Sequence, residues 1–275
     1  MKKNGPWGVS LVTGMFVVGG ILLGGCSTVP VTGRQQLSLV SNSEMLSMGT
    51  REYDDFLKNN KVVPTGDTRT AMVKRVGRNI QSAVETYFRQ NNLSLSGYSW
   101  EFNLVDSKEA NAWCMPGGKV VVYSGILPLT SNEVGLAVVM GHEIAHAVAD
   151  HGDERMSQGL LAELGGAALS QALSQKPQET QQLWMTVFGV GVQYGAVLPF
   201  SRVQEREADH LGLIFMAMAG YNPNEALTFW QRMAQQNKGQ APLEFMSTHP
   251  SDESRIAKIR EELPEAQGYY KISGR

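Results

Sequence analysis

The period of the apolar positions changes along the chain, and each change marks an element. From Arg69 to Phe88, the residues Met72, Val73, Val76, Ile80, Ala83, Val84, Tyr87 and Phe88 recur at spacings of three and four, which predicts an amphipathic helix with one face on a core. After Gly97 the period drops to two. Trp100, Phe102 and Leu104 alternate with Glu101 and Asn103, the pattern of a half-buried strand. Pro116-Gly117-Gly118 supplies turn residues, and the β-branched run from Lys119 to Tyr123 predicts a second strand. Upstream, Ser41-x-x-Glu44 has the form of a capping box opening a helix to about Lys58. Beyond Pro128 the helical period returns. Thr130-x-x-Glu133 again has capping-box form, and the helix it predicts carries Val134, Leu136, Ala137, Val138 and Met140 into Gly141-His142-Glu143-Ile144-Ala145-His146. Further helices are expected at about 154–175, 180–197, 202–219, 223–236 and 251–262, with Asn222-Pro223 and Ser251 as starts. No internal repeat interrupts this order, so the expected architecture is one α+β domain, mainly helical with a small sheet.

Two other apolar stretches need separate treatment. Lys2 and Lys3 precede an uncharged, glycine-rich run from Trp7 to Leu23 that ends Leu23-Gly24-Gly25-Cys26. This is secretory in form and resembles a bacterial lipoprotein signal, cut before Cys26 with that cysteine then acylated. Residues 1–25 are therefore expected as signal peptide, 26–42 as a lipid-anchored tether, and 43–275 as the folded domain. Ser27 after the cysteine implies, by the same resemblance, the periplasmic face of the outer membrane. The second stretch, Leu183 to Phe200, is broken by Gly189, Gly191, Gln193, Gly195 and Pro199, so a buried helix is expected there rather than a membrane span. Its glycines miss the dinucleotide-binding spacing by one residue.

Composition narrows the chemistry. Lys plus Arg number 24 and Asp plus Glu 26, a net charge of −2 without long single-sign runs, which offers no footprint for nucleic acid. Two cysteines, Cys26 and Cys114, exclude a disulfide framework or a cysteine-rich zinc module, and Cys114 is expected to be a small buried residue. Of five histidines, His142, His146 and His151 fall within one short stretch. His142 and His146 lie four apart, so on a helix they project from one face and can offer two imidazole nitrogens to one metal ion. Glu143, offset around the helix, reaches a water on the open side of the metal. This is the HExxH pattern of zinc peptidases. Catalytic zinc needs a third protein ligand, and the candidates are His151, His210, His249 and the acids of Glu205-Arg206-Glu207-Ala208-Asp209. His151 follows the expected helix end, which favours a capping or ion-pair role.

His142-Glu143-x-x-His146 followed by Glu205-x-x-Ala208-Asp209 resembles the CAAX prenyl endopeptidase and HtpX-like group of gluzincin metallopeptidases. The lipoprotein signal with Pro30-Val31-Thr32-Gly33-Arg34 is similar to the bacterial lipoprotein branch of that group. The resemblance implies a gluzincin fold, one Zn2+ per chain, Glu205 as third ligand in preference to Glu207, and Asp209 orienting a ligand histidine. It also implies that Asn111 to Val120 is an edge strand over the active site, pairing with extended substrate backbone. In the segment from Thr248 to Arg255, His249 is expected to stabilise the oxyanion or to close the zinc site at rest, with Arg255 donating hydrogen bonds nearby. The implied activity is a zinc endopeptidase, Glu143 its general base, acting on unfolded or misassembled envelope proteins in quality control. The expected partners are extended protein substrates, the membrane through Cys26 and the outer-membrane assembly machinery. The alternative is a lipoprotein chaperone or assembly factor that uses the same groove with little turnover.

Overall fold

The computed structural model describes residues 26–164, 187, 201–236, 243–249 and 253–273. The expected signal peptide, the part of the expected helix 154–175 that follows Leu164, the expected helix at 180–197 with the apolar segment from Leu183 (apart from Val187), and Pro250 to Asp252 lie outside them. The elements are β1 (Cys26–Thr28), β2 (Gln35–Leu37), α1 (Asn42–Asn59), α2 (Thr68–Gln90), β3 (Glu101–Val105), β4 (Ala112–Met115) and β5 (Lys119–Tyr123). A 3-10 turn, Ser124–Ile126, leads into α3 (Leu127–Thr130), α4 (Glu133–Val148), α5 (His151–Leu164), α6 (Arg202–Met218), α7 (Glu225–Gln236), α8 (Glu244–Thr248) and α9 (Glu253–Ile272). The protein is α+β and mainly helical. Among the described residues, no helix is long and apolar enough to cross a membrane.

The three-stranded sheet has the order β3-β5-β4, with β3 parallel and β4 antiparallel to β5, so β4 is an edge strand. Its middle strand is buried on both faces, which is why Lys119 to Tyr123 reads as an unbroken β-branched run rather than an alternation. On one face Val120 and Val122 join Phe102 and Leu104 in the core shared with α2 and α4. On the other, Val121 and Tyr123 pack with Trp113, Met115 and Tyr53 of α1. Gly117 and Gly118, at φ 85° and 80°, make the turn from β4 into β5 in a region that L side chains avoid.

Three boundaries differ from the sequence expectation. The Ser41 and Glu44 capping box forms, but the box at Thr130 does not. Thr130 closes α3 with its hydroxyl donating to Leu127 O at 2.9 Å, Ser131 turns left-handed at φ 65°, and Asn132 caps α4 by accepting from Gly135 N at 2.9 Å. The last helix runs to Ile272 through Pro264, because the buried stripe of Ile259, Leu263 and Ala266 continues past the expected stop and compensates the lost backbone bond. Finally, residues 26–37 are no loose tether. β1 pairs antiparallel with β2, Val29 is wholly buried, and Gly33 at φ 72° closes the turn with Gly33 N donating to Val29 O.

Candidate metal centre and active-site cleft

Helix α4 is buried from Gly135 to Val148, so its histidines face other helices rather than water. It meets α6 at a glycine on each side. A methyl group on Gly141 would stand 3.0 Å from Gly212 O, and one on Gly212 would stand 3.0 Å from His142 N. Only bare backbones allow that approach, and it sets Glu205 and Asp209 of α6 opposite His142 and His146 of α4. Helix α6 is itself fixed at its start by a capping box between Ser201 and Gln204.

Four side chains converge there. His142 Nε2 lies 3.1 Å from His146 Nε2 and 3.2 Å from His249 Nδ1. Glu205 Oε1 lies 3.3 Å from His146 Nε2 and 2.8 Å from His249 Nδ1. One donor atom from each of His142, His146, Glu205 and His249 falls within 4.8 Å of the others, and all four residues are buried. A tetrahedral ion with arms of about 2.0–2.1 Å has edges of about 3.3 Å, so these separations suit a metal bound by imidazole nitrogens and a carboxylate. Buried imidazoles that bring their ring nitrogens to a common point, beside a buried carboxylate, offer the donor set that a shared cation requires. The residues present fit a metal ion.

The surroundings tune each group. Burial lowers the pKa of His142 and His146, which keeps them neutral and able to ligate. Burial alone would raise Glu205, but His249, Arg255 and His142 outweigh it and hold the carboxyl well below its usual range. Asp209 Oδ1 sits 3.0 Å from His142 Nδ1, the ring nitrogen turned away from the cluster. Arg255 binds both acids, with Nη1 2.7 Å from Glu205 Oε2 and Nη2 2.7 Å from Asp209 Oδ1, and its guanidinium lies 3.4 Å from the centre of the Trp230 ring. Phe245 packs against His249 with ring centres 4.8 Å apart. Burial pushes Glu143 up to about 7 against the pull of His249. Among the described residues, Glu143 Oε1 takes no hydrogen bond, which is uncommon for a buried carboxylate; the nearest partner, His249 Nε2, is 3.4 Å away.

Glu143, His146 and His249 line a cleft of about 170 Å³ whose other wall includes Asn111, Trp113 and Cys114 of the β4 edge. Cys114 is buried and its thiol is pushed up by burial and by Glu143, so it stays protonated and acts as a packing residue. The remaining sequence candidates go elsewhere. Glu207 points away from Glu205 and pairs with His151 and Arg34. His210 is partly exposed, 3.8 Å from Glu262 and away from the cluster. His151 opens α5 rather than capping α4, and its ring folds back beneath His146. Gly141, Gly212, Trp230 and Phe245 were not singled out by sequence. For the glycines a signal existed, since a glycine inside a helix costs about 1 kcal/mol relative to alanine and needs a packing reason. The aromatic pair carried none beyond the apolar stripe of α7 and α8.

A β-edged cleft floored by such a cluster defines a metallopeptidase. The sequence profile of Peptidase family M48 matches residues 74–263, and the chain belongs to that family. The chain is 35% identical to Mitochondrial metalloendopeptidase OMA1 of Schizosaccharomyces pombe over 246 residues, 87% of this chain and 67% of the relative. It is 31% identical to the protein of the same name in Saccharomyces cerevisiae over 276 residues, 92% and 76% of the two chains. With the Beta-barrel assembly-enhancing protease of Escherichia coli it shares 31% identity over 169 residues, 58% of this chain and 34% of that one. The activity is that of a metalloendopeptidase.

Proposed function

We propose that the chain is a zinc endopeptidase of a bacterial envelope, held to membrane through lipidated Cys26, that cleaves unfolded or misassembled proteins. The observation that carries the catalytic part is the convergence of His142, His146 and Glu205 beside the bare oxygen of Glu143. These three residues would hold a zinc ion, which would supply Lewis acidity for a carbonyl and for water near neutral pH. Glu143 takes the proton of the attacking water and returns it to the leaving amine, and its burial, which favours the protonated form, suits a carboxylate that must accept a proton and then give it up. Asp209 holds the His142 proton on Nδ1, which leaves Nε2 free to ligate. His249, with Nε2 toward Glu143, donates to the developing oxyanion, and Arg255 balances the charge of Glu205 and Asp209. One distance favours a second use of His249: with Nδ1 3.2 Å from His142 Nε2, it would be able to hold the ion as a fourth ligand and close the site at rest.

Substrate enters extended along β4, where main-chain pairing accepts many sequences but only unfolded segments. The envelope assignment is supported by the signal-like residues before Cys26, by the exposure of Cys26, and by similarity to a relative named for β-barrel assembly. The test pairs metal content with cleavage of an unfolded protein such as casein. Wild type is expected to carry one zinc per chain and to lose cleavage on chelation, and Glu205→Ala to lose the zinc. Full metal content in Glu205→Ala contradicts the assignment.

A further inference from the structure

The His146 side of the centre carries a chain of contacts that the catalytic scheme above does not use. For His146 to present Nε2 to a metal, its proton must sit on Nδ1, and the atom facing that Nδ1 at 2.9 Å is His151 Nδ1. Two ring nitrogens at that distance share one proton, so His151 Nδ1 accepts and the proton of His151 is on Nε2. That Nε2 lies 2.9 Å from Glu207 Oε2, which accepts it. Glu207 also accepts from Thr32 Oγ1 and, at 2.8 Å, from Arg34 Nε. Arg34 in turn grips Glu154 with two prongs, at 3.0 and 2.8 Å, and Gln204 Nε2 donates to the same Glu154 at 2.8 Å. Each proton assignment forces the next. The run begins at a candidate ligand and ends on the turn between β1 and β2.

We infer that His151 is a positioning residue for the ligand His146, set in place by Glu207, Thr32 and Arg34, so that the β1–β2 turn is a working part of the metal centre. The inference rests on the metal assignment proposed above. A ligand imidazole is oriented, and its nitrogen made a better donor, when a carboxylate accepts its other N–H. His142 has Asp209 for this purpose. At the matching nitrogen of His146 stands a second imidazole, polarised by the carboxylate behind it. His151 is wholly buried, so its ring cannot turn to another partner without leaving Glu207. The turn lies only a few residues after Cys26, so a pull that lifts the hairpin also withdraws Thr32 and Arg34 from Glu207 and loosens a ligand.

The test measures Zn2+ affinity of the full chain by competition with a chromogenic chelator, alongside thermal unfolding of the metal-free protein. His151→Phe keeps the ring and removes both hydrogen bonds; it is expected to weaken Zn2+ by about 10- to 100-fold while the metal-free chain still unfolds cooperatively. His151→Gln keeps one acceptor and one donor and is expected to restore most of that loss. Arg34→Ala, at a side chain 24% exposed, is expected to weaken Zn2+ by about tenfold, and it carries the test should His151→Phe not fold. Wild-type Zn2+ affinity in folded His151→Phe, or in Arg34→Ala should His151→Phe not fold, overturns the positioning role. A wild type that binds no divalent ion overturns the metal assignment itself.

Discussion

The two histidines of α4 are both backed by carboxylates of α6, yet by different routes. Asp209 touches His142 directly, at 3.0 Å, whereas Glu207 reaches His146 only through the interposed ring of His151. Helix geometry explains the difference. Residues two apart on a helix project about 200° from one another, so Asp209 and Glu207 cannot both face the α4 seam. An arginine completes each route. Arg255 is wholly inside, sandwiched between two acids and the face of Trp230, while Arg34 sits at the surface and grips Glu207 and Glu154 from outside. One support is thus sealed into the core and the other is clipped on by a short hairpin. The same chemistry, carboxylate plus arginine, is built at two depths and with two different dependences on the rest of the fold.

The largest contrast is expected from removing the arginines. Arg255→Met removes the arginine that binds the buried Glu205 and Asp209 and should cost about 3–5 kcal/mol, whereas Arg34→Met opens two ion pairs at a partly exposed arginine and should cost about 1 kcal/mol. Urea unfolding of the metal-free chain measures both, and equal losses would erase the distinction in depth. Next is the helix contact that aligns the sealed side. Gly212→Val forces side-chain atoms against the backbone of Gly141 and His142, and is expected to cost about 1–3 kcal/mol in the same assay while also weakening metal. The smallest effect concerns pH on the clipped side. Burial of Glu207 works against ionisation, but hydrogen bonds from His151, Thr32 and Arg34 prevail and bring its carboxyl to about 2. A carboxyl depressed from an unfolded value of about 4.3 contributes stability that is fully present above that pH and is lost as the pH falls toward about 2. Wild type should therefore exceed Glu207→Gln in unfolding temperature by a constant margin above about pH 5, and the margin should shrink below it. A margin that grows on acidification contradicts the clip.

The sequence made the α4 half of the centre legible because helix pitch alone fixes which residues share a face. His142, Glu143 and His146 need no knowledge of the fold. Glu205 and Asp209 stood among several candidates until a motif resemblance selected them, since the crossing that brings them in depends on Gly141 and Gly212 and leaves no trace in the apolar period. His151 was placed just past a helix end, and the end is there: Asp150 turns left-handed at φ 56°. What periodicity could not show is that the chain re-enters a helix at the next residue and swings that ring back under His146. Arg34 stood in the motif from Pro30 to Arg34, but its contact with Glu207 was hidden for a related reason, because the flanking strands of three residues are too short to display alternation. Thr130 lost its capping role to Asn132 because Ser131, between them, adopts a conformation that no pattern announces.

The central claim is that Glu143 moves the proton for a metal held by its neighbours, and Glu143→Gln tests it most directly. The substitution keeps the shape of the side chain in the cleft and removes its basicity. Metal content should remain one zinc per chain, while cleavage of an unfolded protein should fall by about 10²- to 10⁴-fold. Cleavage at the wild-type rate with the metal retained would contradict the account.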